Sequence, residues 1–449
     1  MKKSLLLTTI AFSLILVASP LAVAASSSST DFNYNPMEIY QLASTQTVSA
    51  SPGFNPVAFC AGAGLVCYSP QFIRSAYDYP STLTGAGQTI VIVDAYGSPT
   101  ISADLALFDS VFGIPPPPSF TVICPPGGCP TPSYTSPNPH SPFGWSIETS
   151  LDVEYAHAMA PGANIVLDVA ASSSGNAINV AESTVIPMFP GAVMSQSFGI
   201  PEYLLTANNG QVQQAEANYQ QAAADGWTLF ASAGDSGATN GIATPNANFP
   251  SSDPLVTAVG GTMGNPYPTG LAASTCSQKA PNCTPKYKGE QVWNEPAFDA
   301  AGGGAPSLLF GAPSFQSGLG LAARATPDVS YNAAVNGGVL VVWSACPSCI
   351  GASGPVFFIV GGTSAGSPQW AAIAALADQA AGHSLGYLNP AIYAIGEGPH
   401  YASDFHDITS GNNIATGTPA GFSAVPGWDD ASGWGTPNVS NLIPDLISA

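Results

Sequence analysis

Positive charge is the scarcest feature of this sequence. Of 449 residues only 7 are Lys or Arg, against 27 Asp or Glu, giving a formal net charge of −20 near neutrality. Charged residues together make up 8% of the chain, against roughly 25% in an average soluble protein. So few cations cannot build the basic face that phosphate backbones require, which excludes nucleic acid as a partner and a polybasic membrane anchor as a device. Beyond the N-terminal region no stretch reaches the ~18 uninterrupted apolar residues that span a bilayer. No internal repeat is visible. Disorder through low hydrophobicity is excluded too, because 45% of the residues are hydrophobic. The shortage of cations leaves few ion pairs for acid to break, so the composition tolerates low pH.

Glycine (47) and proline (42) are abundant and imply many tight turns. The 8 cysteines fall into close pairs, Cys60/Cys67, Cys124/Cys129, Cys276/Cys283 and Cys346/Cys349. In an exported chain such pairs read as short-loop disulfides, with zinc on Cys346-Pro-Ser-Cys349 as the rival. Export is expected from the N-terminus: Lys2 and Lys3, the apolar run Leu5–Val17, and Ala22-Val23-Ala24 as a cleavage site. This divides the chain into a signal peptide at 1–24, a short Ser/Pro/Gly-rich leader or pro-segment at 25–70, and one domain at 71–449. The mature protein is expected to be secreted, free of the membrane once the signal is removed, and monomeric.

Apolar runs at Thr89–Val93, Ile165–Val169, Ala192–Ser195, Thr228–Ser232 and Leu255–Val259 suit strands buried on both faces. Between them, residues 100–113, 146–159, 175–186 and 211–224 suit helices, and 114–143 is a Pro-rich excursion. The alternation predicts an α/β domain with a mostly parallel central sheet and helices on both faces. In such sheets ligands lie beyond the carboxyl ends of the strands.

Four segments concentrate chemistry. Gly361-Gly-Thr-Ser364 follows an apolar strand and precedes a helical run, so Ser364 is either an exposed nucleophile near backbone N–H donors or an ordinary helix cap. A nucleophilic serine needs a base, and none of the five histidines stands in a recognisable catalytic setting. Glu148 and Asp152, four apart on one helix, share a face and can share a proton, which suits a base working in acid; the bland alternative is a solvated acidic face. Asp235, in Gly234-Asp235-Ser-Gly237, sits in a turn and, if protonated, is a hydrogen-bond donor to an oxyanion. Near the C-terminus, Asp407 and Asp429 with their loop carbonyls offer hard oxygen ligands, or merely acidic turns.

The ordered set of segments resembles the sedolisin family of serine-carboxyl peptidases, which have a subtilisin-like fold. The likeness is carried by Gly87–Val93, Glu148-Thr-Ser-Leu-Asp152, Ser195-Gln-Ser-Phe-Gly199, Ser232–Gly237, Gly302–Gly304, Pro327-Asp-Val-Ser330, the Thr363-Ser364 segment and the two acidic loops. The resemblance implies Ser364 as nucleophile, Glu148 as its general base, Asp152 as the residue orienting Glu148, and Asp235 as donor to the oxyanion. It implies one structural Ca²⁺ held by the carboxylates of Asp407 and Asp429 and the carbonyls of Ile408, Val425 and Gly427. Ser195, Ser197 and Gly199 become backbone contacts for an extended peptide, and Asp94 an extension of the carboxyl network. The expected activity is acid-active endopeptidase hydrolysis of proteins or peptides through an acyl-enzyme. The alternatives are a tripeptidyl-peptidase, a His-dependent subtilisin, or a calcium-stabilised binding module of the same fold without turnover. Family members usually carry a long folded propeptide, whereas the leader expected here is short.

Overall fold

The structure, a computed structural model, describes residues 31–50, 60, 62–264, 272–273 and 286–449. The expected signal peptide and the Cys276/Cys283 pair lie outside the described residues.

In chain order, the elements that position the site begin with two short strands, β1 (Asn35–Pro36) and β2 (Ile39–Leu42). The βα alternation follows: β3 (Thr89–Ala95), α1 (Ile101–Phe112), β4 (Phe120–Ile123), α2 (Pro142–Met159), β5 (Asn164–Ala170) and α3 (Gly175–Val185). It continues with β6 (Val193–Gln196), β7 (Phe198–Pro201), α4 (Gly210–Ala224), β8 (Thr228–Ser232), β9 (Asn248–Phe249) and β10 (Thr257–Gly264). Completing the set are β11 (Glu290–Val292), β12 (Val329–Asn332), β13 (Gly338–Trp343), β14 (Val356–Gly361) and α5 (Ser367–Ala381).

The central sheet has 8 strands in the order β11-β10-β8-β6-β3-β5-β4, with β12 also pairing β10. All its pairings are parallel except β10–β11. The subtilisin-like α/β expectation holds. Alternation in β3 explains the layering. Ile90 and Ile92 enter the core that contains α2 and α5 residues, while Val91, Val93 and Ala95 enter the opposite core with α3 and α4 residues. With two cores to fill, β3 is apolar at every position from Ile90 to Val93 and again at Ala95, Asp94 being the buried exception at its end.

A smaller sheet, ordered β2-β14-β13 and then the strand Cys67–Tyr68, lies on the other side of α2. Only its β14 was foreseen as a strand, and β4 was missed inside the Pro-rich excursion. The leader was expected to precede the domain; residues 31–50 instead pack into it, with β1 paired to β7 and β2 to β14.

Helix α2 is buried at every residue from Phe143 to Met159. Ser141 caps it by accepting from the Phe143 N–H, and Pro142 occupies the first turn, where no donor is needed. A helix this polar survives burial because its hydroxyls bond back to its own carbonyls: Ser146 to Phe143, Thr149 to Trp145 and Ser150 to Ser146, at 2.7, 2.8 and 3.0 Å. The carboxyl groups of the same helix have no such local solution. Disulfides Cys60–Cys67, Cys124–Cys129 and Cys346–Cys349 are formed, which removes the zinc alternative for Cys346 and Cys349. Among the described residues no helix is long and apolar enough to cross a membrane.

Candidate active site

Four loops converge beyond the carboxyl ends of β3, β6 and β8, and at the end of β14. β14 runs into Gly362, whose φ of 96° and neighbours exclude a side chain: a Cβ there would lie 2.5 Å from both Asp235 Oδ2 and the Met37 carbonyl oxygen. This turn places Ser364 in a short 3₁₀ segment, Thr363–Ala365, before α5. Gly366 precedes α5 without a side-chain cap, so Ser364 is not the helix cap. Its hydroxyl instead donates toward Glu148 Oε2 at 2.9 Å and lies 3.2 Å from the Ser197 carbonyl.

Glu148 and Asp152 are fully buried, so they form no solvated face. The Ser197 hydroxyl donates to Asp152 Oδ1 at 2.9 Å. Neither Glu148 Oε1 nor Asp152 Oδ2 meets a donor, and neighbouring carboxyl oxygens are satisfied only when a proton lies between them. Burial raises the Glu148 pKa well above the carboxylate range; the nearby Glu38 and Asp94 carboxyls add to this, and the Ser364 hydroxyl opposes it. Burial raises Asp152 likewise, with Glu148 adding. Asp94, at the end of β3, is fully buried and raised by burial and by Asp152. No guanidinium relieves this cluster: Arg74 bonds to the carbonyls of Ala158 and Met159, and Arg324 pairs with Asp328.

Asp235 follows β8. Its Oδ1 accepts from the Thr363 N–H and hydroxyl, both at 2.8 Å, while Oδ2 has no partner. Burial outweighs those two bonds and pushes its pKa up to about 7. In acid Asp235 is therefore a neutral donor beside the Ser364 N–H. Ser364, Glu148, Asp152 and Asp235 are thus brought together. His157, the histidine on α2, points elsewhere, to Asp109 at 3.1 Å and the Pro115 carbonyl at 3.0 Å.

No family model matches the chain. Kumamolisin of Bacillus sp. (strain MN-32) is 31% identical over 393 residues, covering 85% of this chain and 64% of kumamolisin. Tripeptidyl-peptidase 1 of Rattus norvegicus is 30% identical over 346 residues, covering 67% of this chain and 52% of that protein. The solved structure of Pseudomonas sedolisin, a serine-carboxyl proteinase complexed with two molecules of pseudo-iodotyrostatin, matches with a TM-score of 0.70. That match has 26% identity and covers 86% of this chain and 99% of the sedolisin chain.

The chain belongs to the sedolisin family.

It spans about half to two thirds of the curated relatives named here (52% and 64%). Within this sedolisin fold, the strand bearing Ser195, Ser197 and Gly199 does not face an open cleft. Ser195 is buried beneath it, its hydroxyl 2.8 Å from that of Ser367. Gly199 pairs with Asn35 of β1, and the Ser197 carbonyl accepts from the Met37 N–H at 3.1 Å. The segment around Met37 and Glu38 was not anticipated at the site. Phe32 and Tyr34, alternating apolar residues just before β1, were the available signal, too short to stand out in a polar leader.

The two acidic loops meet. The Gly427 N–H faces both Asp407 carboxylate oxygens at 3.2 Å, and the Val425 N–H donates to Asp429 Oδ2 at 2.9 Å. Among the described residues no backbone N–H bonds the carbonyls of Ile408, Val425 or Gly427. These free carbonyls and two carboxylates are a donor set that fits a hard cation. A different group, His400, Asp404 and Asp445, brings ligand atoms within 4.8 Å of one another but pairs internally, His400 Nδ1 to Asp445 Oδ2 at 2.7 Å.

Proposed function

We propose that this chain is a secreted, acid-active serine-type endopeptidase that cleaves peptide bonds through an acyl-enzyme on Ser364. The observation that carries the reading is the 2.9 Å contact from the Ser364 hydroxyl to Glu148 inside a buried carboxyl cluster. Glu148 takes the hydroxyl proton as Ser364 attacks the peptide carbonyl, and later returns it to the leaving amine. Asp152, anchored by Ser197, holds Glu148 and shares its proton. The Ser364 N–H and protonated Asp235 stabilise the oxyanion in a water-poor site. Imidazole, protonated in acid, is not needed. The binding-module alternative is disfavoured because all four residues that the peptidase reading needs are present, Ser364 bonded to Glu148 and Asp235 bonded to the adjacent Thr363.

An endopeptidase is favoured over a tripeptidyl-peptidase by the occupied cleft. Residues Phe32–Met37 continue past the third position before the carbonyl beside Ser364 and stay packed, so the cleft is not closed there. The test is hydrolysis of a mixed peptide library at acid pH, with cleavage positions read by mass spectrometry. Internal cuts that vanish in Ser364→Ala support the reading. Release of N-terminal tripeptides alone would overturn the endopeptidase assignment.

The calcium reading belongs to the same proposal: Asp407, Asp429 and the carbonyls of Ile408, Val425 and Gly427 hold one structural Ca²⁺, which ties the C-terminal loops together. A site saturated a hundredfold above Kd stabilises by about 3 kcal/mol. Chelation is therefore expected to lower the Tm by several degrees, and Asp407→Asn to abolish that response. An unchanged Tm on chelation contradicts the site.

A further inference from the structure

We propose a second metal site, built from His400, Asp404 and Asp445 and separate from the calcium loops. It takes a divalent transition ion such as Zn²⁺ and clamps the C-terminal helix to the body of the domain.

His400 and Asp404 are the two ends of one helical turn. The short helix Tyr401–Asp404 follows His400, and the Asp404 N–H donates to the His400 carbonyl at 3.1 Å. Residues four apart on such a turn present their side chains to one side. Asp445 meets that side from the C-terminal helix, Val439–Ser448, its Oδ2 lying 2.7 Å from His400 Nδ1. One ligand atom from each of the three residues lies within 4.8 Å of the other two. Bonds that involve none of these side chains lock the two elements together. The Asn438 N–H donates to the Asp404 carbonyl at 2.7 Å, and Asn441 Nδ2 to the Ser403 carbonyl at 2.9 Å. The ligands are therefore held on a fixed backbone.

Asp404 is the residue that points to a cation. It is only 1% exposed, its Oδ1 accepts from the Ser403 hydroxyl at 2.9 Å, and its Oδ2 is buried without a partner. The neighbouring carboxyl is that of Asp445, within hydrogen-bonding reach of Asp404. The one imidazole hydrogen between Nδ1 and Asp445 leaves the second Asp404 oxygen without a donor. An ion placed among the three groups satisfies them all.

The donor set selects the class of ion. Ca²⁺ and Mg²⁺ take oxygen ligands, whereas imidazole suits Zn, Cu, Fe and Ni. Three protein ligands leave one tetrahedral position to water, on the side where the His400 side chain is 65% exposed and that of Asp445 26%. The Ser403 hydroxyl on Oδ1 orients the Asp404 carboxylate, the kind of supporting contact that metal ligands ordinarily have. The clamp falls where the helix needs one. Its apolar face buries Val439, Leu442, Ile443 and Leu446, and Pro444 interrupts its hydrogen bonding one residue before Asp445.

The full chain is stripped with a chelator, exchanged into excess Ca²⁺ at pH 7, and titrated with ZnCl₂ alone in a calorimeter; CoCl₂ absorption gives a second reading. One equivalent of Zn²⁺ is expected to bind and to raise the Tm by a few degrees at saturation, and Co²⁺ to show the intense visible bands of a four-coordinate site. His400→Ala and Asp445→Asn change solvent-reaching groups and leave the fold intact. Each is expected to weaken Zn²⁺ by at least about 100-fold, the upper end of what losing a supporting contact costs, and to abolish the Tm rise. His383→Ala, at an exposed histidine elsewhere, should change neither. Absence of Zn²⁺ binding, or binding undiminished in either His400→Ala or Asp445→Asn, overturns the site and leaves a proton shared by Asp404 and Asp445 as the resolution of that pair. Zn²⁺ bound with the Tm unmoved overturns the clamp.

Discussion

Glu148→Gln is expected to lower kcat by roughly 10⁴-fold, with KM nearly unchanged and the fold intact. General-base transfer contributes about 10²–10⁴-fold alone, and more when base and nucleophile act as one unit. Gln keeps the shape of Glu148 and can accept from the Ser364 hydroxyl through its amide oxygen, but it cannot take the proton. The bound geometry survives while the proton has no destination. Because base and nucleophile act together, the double variant Glu148→Gln/Ser364→Ala is expected to be no slower than Ser364→Ala alone. Stability should not suffer near neutral pH, since a neutral amide replaces a carboxyl whose ionisation burial already opposes. Steady-state kinetics on a peptide substrate at acid pH decide it. If Glu148→Gln kept a tenth of the wild-type kcat, another group would be the base.

The central sheet was legible in the sequence because its strands are buried on both faces. Thr89–Val93 and Thr228–Ser232 carry no polar alternation, and unbroken β-branched or apolar runs bounded by glycine or aspartate have few other readings. The helices between them were legible as stretches, with 146–159 stopped by Pro161-Gly162, but α2 begins earlier, at Pro142, where Ser141 caps it at the end of the Pro-rich excursion. The chemistry was legible only in part. Spacing placed Glu148 and Asp152 on one face of a helix but could not say that every face of α2 is buried. That depends on a second sheet, β2-β14-β13, whose strands come from opposite ends of the chain. β1 was invisible for a similar reason. Asn35 and Pro36 have low strand propensity and become a strand only because β7 offers an unpaired edge. Glu38 reads as a surface acid in a polar leader, and its burial beside Glu148 is a tertiary fact.

Peptide hydrolysis and conformational stability are both expected to fall as pH rises from about 4 to about 7, with Asp235 common to the two effects. Burial raises Asp235 from the ordinary carboxylate value to about 7, so between those values the folded protein holds a proton that the unfolded chain has lost. Stability is then fully present below the unfolded pKa, declines as pH rises, and levels off above the folded pKa. At about 1.4 kcal/mol per unit, this single buried group is worth about 4 kcal/mol as an upper figure. Asp253 and Asp378 are raised by burial to about 7 as well, and Glu182 to about 8. With so few cations to offset them, these groups act in the same direction. The Tm measured by calorimetry should be highest in acid and drop steeply toward neutrality; a Tm that climbed from pH 4 to pH 7 would reverse the argument. For activity, Asp235→Ala removes an oxyanion donor and is expected to cost about 10²–10³-fold in kcat. Asp235→Asn keeps an acceptor for Thr363 and supplies an N–H in place of the titrating hydroxyl. It should retain more turnover than the alanine variant, and its alkaline limb should no longer follow a group near pH 7. Equal losses in both variants, with that limb unmoved, would mean that Asp235 supports the loop and does not donate to the reacting oxygen.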